Sequence, residues 1–460
     1  MKIIGIIAEY NPFHNGHKYQ IEELKKRTNA DYVVIAMSGN FVQRGVPALC
    51  DKYSRAKMAL QCGADLIFEL PAIWATASAE LFAKGGVTLF YQTGVVNHLG
   101  FGAETDNLDL LKQIAFVLSE EPDSYKNVLS AYLKKGNNFP IARKLALMEL
   151  FYNRFHTTNP IFHNNIAPVS YKNTSTVKTE QIPSAQLEEI LNSPNNILAI
   201  EYLKAIYSKN KQQNTSFLSE VQDETINCEY PLYSLTPILI QRKGAGYHEK
   251  SMDMLHPSAT AIRNLLLSSH ANHFQLQHPI LASAIPKETF SILSELIETH
   301  ALLEENDLSS ILGYCLLSQK KEGFASFADC SADFSNKIIK NLRNYTNFTD
   351  FCELLKSKEL THTRISRTLL HILLDIKQSD YAYANELGTV PYLRILGFRK
   401  EATPLLSAIK KEATVPLITK VADAASILSS DAYTIFEKDL FASDIYYFFC
   451  PARACSTVLL

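Results

Sequence analysis

The sequence predicts an α/β protein: a Rossmann-like parallel-sheet domain followed by a mostly α-helical carboxyl-terminal domain. Two observations in the 460 residues support this prediction. Short, almost continuous apolar runs alternate with helix-length segments in the first part, as expected of a sheet covered on both faces. Amphipathic helical segments with few strand signals fill the second part. We expect the first domain at residues 1–270 and the second at 271–460.

The first strand should be the apolar run from Ile3 to Ala8. Asn11 and Pro12 break it, and Gly16 allows a tight turn into a helix that begins near His17. A second buried strand is predicted over 31–37. Because the intervening helix connects parallel neighbours, these three elements form a right-handed βαβ unit.

The next elements follow the same alternation. Asp51 is placed to cap a helix that ends before Gly63, and Pro71 stops a third strand over 66–71. A helix over 77–92 and a strand over 95–99 come next, and the pattern is helical from residue 106. Later predictions are a helix over 197–207, a strand over 236–241 and a helix capped by Ser258. Polar insertions are expected at 153–183 and 209–225.

In the second domain, helices are predicted over 281–300, 307–319, 334–342, 364–377 and 405–411. A strand is not predicted there. The second domain is therefore predicted to be mostly helical.

Composition limits the functional classes. The formal net charge is −2, from 45 basic and 47 acidic residues, so a nucleic-acid surface must be a local patch. No apolar run is long enough to span a membrane and no leader is apparent, which favours a cytoplasmic protein. The eight cysteines contain no Cys-x-x-Cys pair, so we expect reduced thiols and no protein-bound metal. The oligomeric state stays open.

Two histidines follow the first strand at a fixed spacing, His14 and His17. They fall at the carboxyl end of a strand and the amino end of a helix, where ligands bind in open α/β sheets and where free N–H groups favour a phosphate. Their imidazoles could grip one phosphate. The alternative interpretation is that both are surface histidines capping a helix.

This pattern resembles the signature of the nucleotidyltransferase and class I synthetase superfamily. The wider run Gly5–His17 resembles the bacterial tRNA-Met cytidine acetate ligase family. Similar segments recur in order across most of the chain, at residues 37–45, 101–104, 194–198, 242–248 and 258–263.

The resemblance implies that His14 and His17 are catalytic and stabilise charge on the α-phosphate of ATP as pyrophosphate leaves. It also implies an ATP site whose members come from the first loop and from later segments. These are Ile7, Ala8, Glu9, Tyr10, Asn11, Pro12, Phe13, His14, Asn15, Gly16, His17, Lys18, Tyr19, Gln20, Gly102, Asn196, Arg242, Ser258 and Arg263. Gly100 and Asn195 remain alternatives to Gly102 and Asn196.

Two further surfaces are predicted. The loop after the second strand offers a pocket for a small carboxylate, with the candidates Ser38, Gly39, Asn40, Gln43 and Arg44. A structural turn is the alternative. Basic residues of the helical domain are candidates for tRNA contact, namely Arg364, Arg367, Arg394, Arg399 and Lys400. Solvated surface charge is the alternative there.

The resemblance implies an ATP-dependent ligase that activates acetate as acetyl-adenylate and acetylates N4 of the wobble cytidine of elongator tRNA-Met. Mg²⁺ is expected to accompany ATP. One rival is an adenylyltransferase or cytidylyltransferase acting on a phosphate-bearing metabolite, which shares the histidines but is usually much shorter. Another is a non-catalytic RNA-binding protein on the same fold.

Overall fold

The computed structural model describes residues 1–156, 184–220, 235–242, 258–267, 279–450 and 457–460. The strands are β1 (Ile3–Ala8), β2 (Tyr32–Ser38), β3 (Phe41–Val42), β4 (Val46–Pro47), β5 (Leu66–Leu70), β6 (His98–Ala103), β7 (Thr236–Gln241), β8 (Leu393–Phe398), β9 (Leu417–Ile418) and β10 (Val458–Leu459). No helix within these ranges combines the length and apolarity needed to cross a bilayer.

The helices cover both faces of the sheet. They are α1 (Asn15–Thr28), α2 (Lys52–Gln61), α3 (Ala72–Ala75), α4 (Ala79–Thr93), α5 (Leu108–Glu120), α6 (Asp123–Lys134), α7 (Phe139–His156), α8 (Ser184–Asn192), α9 (Pro194–Glu220), α10 (Ala259–Leu267), α11 (Pro279–Ala284), α12 (Lys287–Glu298), α13 (Ser309–Ser318), α14 (Ala332–Asn341), α15 (Phe348–Leu355), α16 (His362–Leu373), α17 (Gln378–Glu386), α18 (Thr403–Glu412), α19 (Ala424–Ile427) and α20 (Ser430–Phe449).

One mixed, mostly parallel sheet organises the molecule, in the strand order β10-β8-β5-β2-β1-β6-β7, with β9 paired to β8. β1 lies between two parallel partners, β2 and β6. Helices pack closely on both faces of the sheet here. A β-carbon added at Gly5 of β1 would collide with Phe90 of α4, and one added at Gly100 of β6 would collide with Leu24 of α1. Strands β2 and β5 were added on one side of β1, and β6 and β7 on the other. This reversal opens a crevice at the carboxyl end of β1.

The sheet crosses the predicted division at residue 270. β8 comes from the second part of the chain and pairs antiparallel with β5. That part is mostly helical, as predicted, and it also contributes three strands that the sequence did not reveal, β8, β9 and β10. The apolar run Leu393–Phe398 is interrupted by Arg394, whose charge hides the strand pattern in the sequence.

Several predicted boundaries also need correction. The polar segment 209–220 was predicted as an insertion but continues α9, where Lys211 pairs with Glu120 at 3.0 Å. Residues 157–183 and 221–225 of the two predicted insertions lie outside the described residues. The single helix predicted over 281–300 is two helices, α11 and α12, because Pro286 interrupts it and stands at the amino cap of α12.

Gly45 fixes the loop after β2 against α16. Its φ is +78°, and a β-carbon there would collide with the backbone of Arg367. The hydroxyl of Ser366 donates to the carbonyl of Gly45 at 2.9 Å, so the two backbones touch. Only glycine satisfies both the backbone angle and this approach.

We predict that Gly45→Ala lowers the melting temperature more than Gly136→Ala does. Gly136 is the matched control, since its φ is +85° but no atom lies within 4 Å of an added β-carbon. Gly136→Ala should cost only the backbone strain, about 1 kcal/mol, while Gly45→Ala adds a collision. Thermal unfolding followed by circular dichroism measures the difference; equal shifts would mean that the loop moves away from α16 without cost.

Candidate active site

The two histidines form a reciprocal cap at the start of α1. Nδ1 of His14 accepts from the backbone N–H of Gly16 at 3.0 Å, and Nδ1 of His17 accepts from the backbone N–H of His14 at 3.3 Å. Their rings stack with centroids 3.7 Å apart. This is a capping box in which imidazoles replace the usual hydroxyl and carboxylate. The helix start thus fixes both ring orientations.

The cap also fixes the protonation of both rings. A ring nitrogen that accepts a hydrogen bond cannot carry a proton, so each Nδ1 is bare and each neutral ring holds its proton on Nε2. Two N–H donors are therefore presented by one helix terminus, where the helix dipole already favours an anion. Helix capping through Nδ1 and the predicted phosphate binding through Nε2 are therefore compatible, because they use different nitrogens of each ring.

Neighbouring groups keep His17 neutral. Its ring meets the rings of Tyr10 at 4.8 Å and Phe13 at 5.5 Å between centroids. Burial, then the proximity of His14 and Arg242, lowers the pKa of His17 well below its usual range. A neutral His17 donates through Nε2 without the cost of carrying a buried charge.

Cationic side chains converge on the same crevice. Arg263 of α10 donates from Nη1 to the carbonyl of Asn11 at 2.8 Å and from Nη2 to the hydroxyl of Thr260 at 3.2 Å. Burial, then repulsion from Arg44, lowers the pKa of Arg263, whereas Glu9 raises it. Ser258 caps α10, since its hydroxyl accepts from the N–H of Ala261 at 3.2 Å. The predicted Ser258 and Arg263 therefore lie beside the first loop.

Glycines of β6 separate into two environments. Gly100 is buried beneath Leu24 of α1, whereas Gly102 is partly exposed and lies beside the side chain of Arg242. A β-carbon on Gly102 would stand 3.3 Å from Cγ of Arg242. Of the two alternatives left by the sequence, Gly102 is the one at the crevice.

The start of α9 reaches the end of β6 through two asparagines. The side-chain oxygen of the buried Asn196 accepts from the backbone N–H groups of Glu104 at 2.9 Å and Thr105 at 3.1 Å. Asn195 donates to Glu104 at 2.6 Å and accepts from Arg242 at 3.4 Å. Asn196 thus shapes the loop after β6, and Asn195 orients Arg242.

The carboxylate-pocket loop is held from below by Arg55, which sequence reasoning missed. This fully buried guanidinium donates to the carbonyls of Glu9 at 2.6 Å, Ser38 at 3.1 Å and Cys50 at 3.0 Å, and also to that of Gly39. One side chain therefore joins the ends of β1 and β2. The only sequence signal was its position on the helix capped by Asp51.

Two other pocket candidates have defined contacts. The side-chain oxygen of Asn40 accepts from the N–H of Lys52 at 2.9 Å, and the N–H of Gln43 donates to the carboxylate of Glu9 at 2.9 Å. Among the described residues, the buried amide nitrogen of Asn40 and the hydroxyl of Ser38 have no hydrogen-bond partner. The loop is therefore tied to β1 and α2 while retaining polar groups without protein partners.

Part of the predicted ATP loop faces another element. Asn15 donates to the carbonyl of Ser283 at 2.7 Å, and Lys18 pairs with Glu288 of α12 at 2.7 Å. Tyr19 is exposed. Asn15 and Lys18 therefore dock α1 onto α11 and α12.

The candidate tRNA residues fall into three environments. Arg364 donates to the carbonyl of Asp329 at 3.3 Å, and Arg367 pairs with the Asp329 carboxylate at 2.7 Å. Arg399 pairs with Asp65 at 3.8 Å and is partly exposed, while Lys400 is exposed. Arg364 and Arg367 are half-buried on α16.

Arg394 departs from the prediction. Its guanidinium is 4% exposed and pairs with the buried Glu69 at 2.8 Å, so it cannot face a tRNA. Burial alone would lower the pKa of Arg394, but Glu69 and Tyr53 together raise it. His371, on the same helix as Arg364 and Arg367, is also fully buried. Arg394 is internal because β8 is a strand of the sheet. His371 is internal because its ring lies between the carbonyls of Ala328 and Thr76.

Metal ligands do not gather in the described part of the chain. Within it, no group of three or more His, Cys, Asp or Glu side chains is placed to hold a metal ion. Glu104, the carboxylate at the end of β6, is occupied by the side chain of Asn195 and the backbone of Asn196.

A mixed, mostly parallel sheet with this histidine pair at the end of its central strand is the arrangement of a nucleotidyltransferase of the HIGH class. The family model described as HIGH Nucleotidyl Transferase matches residues 1–222 and 228–457. Within that class the chain belongs to the tRNA(Met) cytidine acetate ligase family.

Relatives cover nearly the whole chain. The tRNA(Met) cytidine acetate ligase of Halothermothrix orenii is 34% identical over 98% of this chain and 96% of its own length. The relative of that name from Thermoanaerobacter sp. strain X514 is 36% identical over 97% and 95%. Apo Thermotoga maritima TmcAL superposes over 100% of both chains with a TM-score of 0.83 at 27% identity. The same protein bound with alpha-thio ATP gives 0.80 over 100% of both chains, also at 27% identity.

We predict that His17→Gln flattens the fall in stability between pH 7 and pH 5. Because the pKa of native His17 lies below that of the unfolded chain, only the unfolded state binds this proton as the pH falls through about 6.5, and stability is lost, by at most about 1.4 kcal/mol per pH unit. Glutamine retains an acceptor for the cap without a titrating ring. Urea unfolding at each pH measures the slope.

The control is His300→Gln, which removes an exposed histidine beyond α12. It should leave the slope as in the unsubstituted protein. A steeper or unchanged slope in His17→Gln would contradict a neutral, buried His17.

Proposed function

We propose that this protein is an ATP-dependent ligase that activates acetate as acetyl-adenylate and acetylates N4 of the wobble cytidine of elongator tRNA-Met, yielding N4-acetylcytidine, AMP and pyrophosphate. The observation that carries the proposal is the stacked histidine pair whose protons are held on Nε2 at the start of α1. Support also comes from the near full-length relatives named for this reaction. Such a reaction takes place in the cytoplasm, where tRNA is modified.

In the first step a carboxylate oxygen of acetate attacks the α-phosphorus of ATP. The bond from that phosphorus to the bridging oxygen breaks, and pyrophosphate leaves with the electron pair. Negative charge grows on the phosphate oxygens, where His14 and His17 donate through Nε2; donors fixed in advance are worth about 3–4 kcal/mol each in comparable sites. Arg263, Arg242 and the amino end of α10 would hold the outer phosphates.

The proposed carboxylate pocket is the loop containing Ser38, Gly39, Asn40, Gln43 and Arg44. Arg55 fixes the backbone of this loop relative to the end of β1. The distance between acetate in the pocket and the α-phosphate at the histidines would therefore be set by this one side chain. Mg²⁺ would enter as the counter-ion of ATP, held chiefly by phosphate oxygens and water.

For tRNA we propose contacts from Arg364, Arg367, Arg399 and Lys400. Wobble cytidine lies in a single-stranded anticodon loop, so its amine can be presented without opening a duplex. The backbone of Ser366 and Arg367 in α16 packs against Gly45, which would place a bound anticodon stem close to the carboxylate pocket.

The rival activity is nucleotidyl transfer to a phosphate-bearing metabolite, which would use the same histidines. The discriminating experiment supplies ATP, labelled acetate and tRNA lacking the modification, digests the RNA and measures labelled N4-acetylcytidine by mass spectrometry. Label in that nucleoside supports the proposal. ATP turnover without label would favour the rival, and absence of turnover with every carboxylate and tRNA would favour a non-catalytic RNA-binding protein.

We predict that His14→Ala and His17→Ala each reduce acetate-dependent exchange of labelled pyrophosphate into ATP by about 100-fold or more, since each removes one Nε2–H donor from the developing charge. His300→Ala, at an exposed position, should retain full exchange. Melting temperatures show whether each variant is folded. Near-normal exchange by either folded site variant would remove that histidine from the reaction.

We predict that the double variant Arg364→Ala, Arg367→Ala weakens tRNA binding and reduces its salt dependence while sparing ATP affinity, because phosphate contacts of the RNA are lost and neither arginine belongs to the ATP site. The control, Lys320→Ala with Lys321→Ala, removes two exposed charges after α13. Filter binding at several salt concentrations measures both. Equal affinity of the two double variants would exclude α16 from the RNA surface.

A further inference from the structure

The second half of the proposed reaction needs a proton acceptor. When N4 of cytidine attacks the acetyl carbon, a C–N bond forms, the bond to the phosphate oxygen breaks and AMP leaves with the electron pair. The amine must lose one proton. Its lone pair is delocalised into the pyrimidine ring, so the attack is slow unless that proton is removed during bond formation.

Neither histidine can accept this proton in the observed geometry. Nδ1 of each ring already accepts a backbone N–H, and Nε2 of each neutral ring carries the proton. The low pKa of His17 adds that its ring binds a second proton only weakly. The residues that best stabilise adenylate formation are therefore unsuited to the transfer step.

Carboxylates near the crevice differ in what their oxygens do. Both oxygens of Glu104 accept from α9, through the side chain of Asn195 and the N–H of Asn196. Both oxygens of Asp51 are bound by the first turn of α2. These two carboxylates serve as structural acceptors.

Glu9 is different. It follows β1 directly, is partly exposed, and one carboxylate oxygen accepts from the N–H of Gln43 at 2.9 Å. Among the described residues no hydrogen bond to its second oxygen is found. Its carbonyl is fixed by Arg55 at 2.6 Å, and its charge acts on Arg263 of the phosphate side. Glu9 therefore stands between the carboxylate pocket and the phosphate-binding arginine.

We propose that Glu9 is the general base of acetyl transfer, which rests on the proposed function. Its second oxygen, Oε2, takes the proton of cytidine N4 as the C–N bond forms and passes it to water after AMP has left. Gln43 holds Oε1, so the carboxylate presents one defined oxygen. His14 and His17 thus act when pyrophosphate leaves, and Glu9 acts when AMP leaves.

The test is Glu9→Gln in the full chain, measured in three assays. Glutamine preserves an oxygen for Gln43 but cannot take a proton. We expect acetyl transfer to tRNA to fall by about 100-fold or more relative to acetate-dependent pyrophosphate exchange measured on the same variant. Hydroxylamine, a strong nucleophile that needs no base, should capture the acetyl group as acetohydroxamate in proportion to the exchange that the variant retains.

The matched control is Glu305→Gln, a partly buried carboxylate that also acts electrostatically on Arg263 but lies in the second part of the chain. It should retain transfer. Normal transfer by Glu9→Gln would overturn the proposal and favour a phosphate oxygen of the adenylate as the base. An equal loss of exchange, hydroxamate and transfer would overturn it too, since Glu9 would then serve only the first step. If the unsubstituted protein shows no acetate-dependent exchange, it is the proposed function that fails.

Discussion

The crevice depends on one buried cation, Arg55, and on the four carbonyl oxygens that surround it. Burying a guanidinium is costly unless its N–H groups are satisfied, and here the groups that satisfy it belong to the ends of β1 and β2 and to the residue before the α2 cap. Because the cation cannot be left without these partners, the loops have little freedom to separate. The position of the carboxylate-pocket loop relative to the histidine loop follows from that constraint.

A second buried charge group joins the two parts of the chain. Glu69 at the end of β5 pairs with Lys52 at 2.7 Å and with Arg394 of β8 at 2.8 Å, and Lys52 also donates to Ser443 of α20 at 2.8 Å. Burial, then repulsion from Arg394, lowers the pKa of Lys52 to about 8. Burial and Glu69 raise the pKa of the nearby Asp439 to about 6. Removing one member would strand the others, so this network ties β8 and α20 to the sheet more specifically than apolar contact would.

The site combines rigid donors with selective use of its carboxylates. Imidazoles that cap α1 cannot rotate without breaking the helix start, so their Nε2–H groups are oriented before any ligand arrives. Carboxylates whose oxygens are all occupied shape loops, whereas Glu9 keeps one oxygen without a described partner. In the proposed reaction, the nine residues from Glu9 to His17 supply both the hydrogen-bond donors and the base, and these groups act at different steps because their hydrogen bonds differ.

Local chemistry let the sequence alone determine β1, β2, β5, β7, the Asp51 and Ser258 caps and the strand-to-helix position of His14 and His17. Apolar runs, capping residues and breakers act over a few residues and are therefore legible in one chain. Resemblance added the ATP-site residues, of which the structure places Gly102, Arg242 and Arg263 at the crevice. Tertiary structure alone decided that β8 joins the sheet, that Arg394 and His371 are internal, and that Arg55 holds the loops. Arg394, which lies in β8, His371 and Arg55 are polar or charged side chains whose burial is stabilised by partners remote in sequence. No local pattern distinguishes such a residue from solvated surface charge.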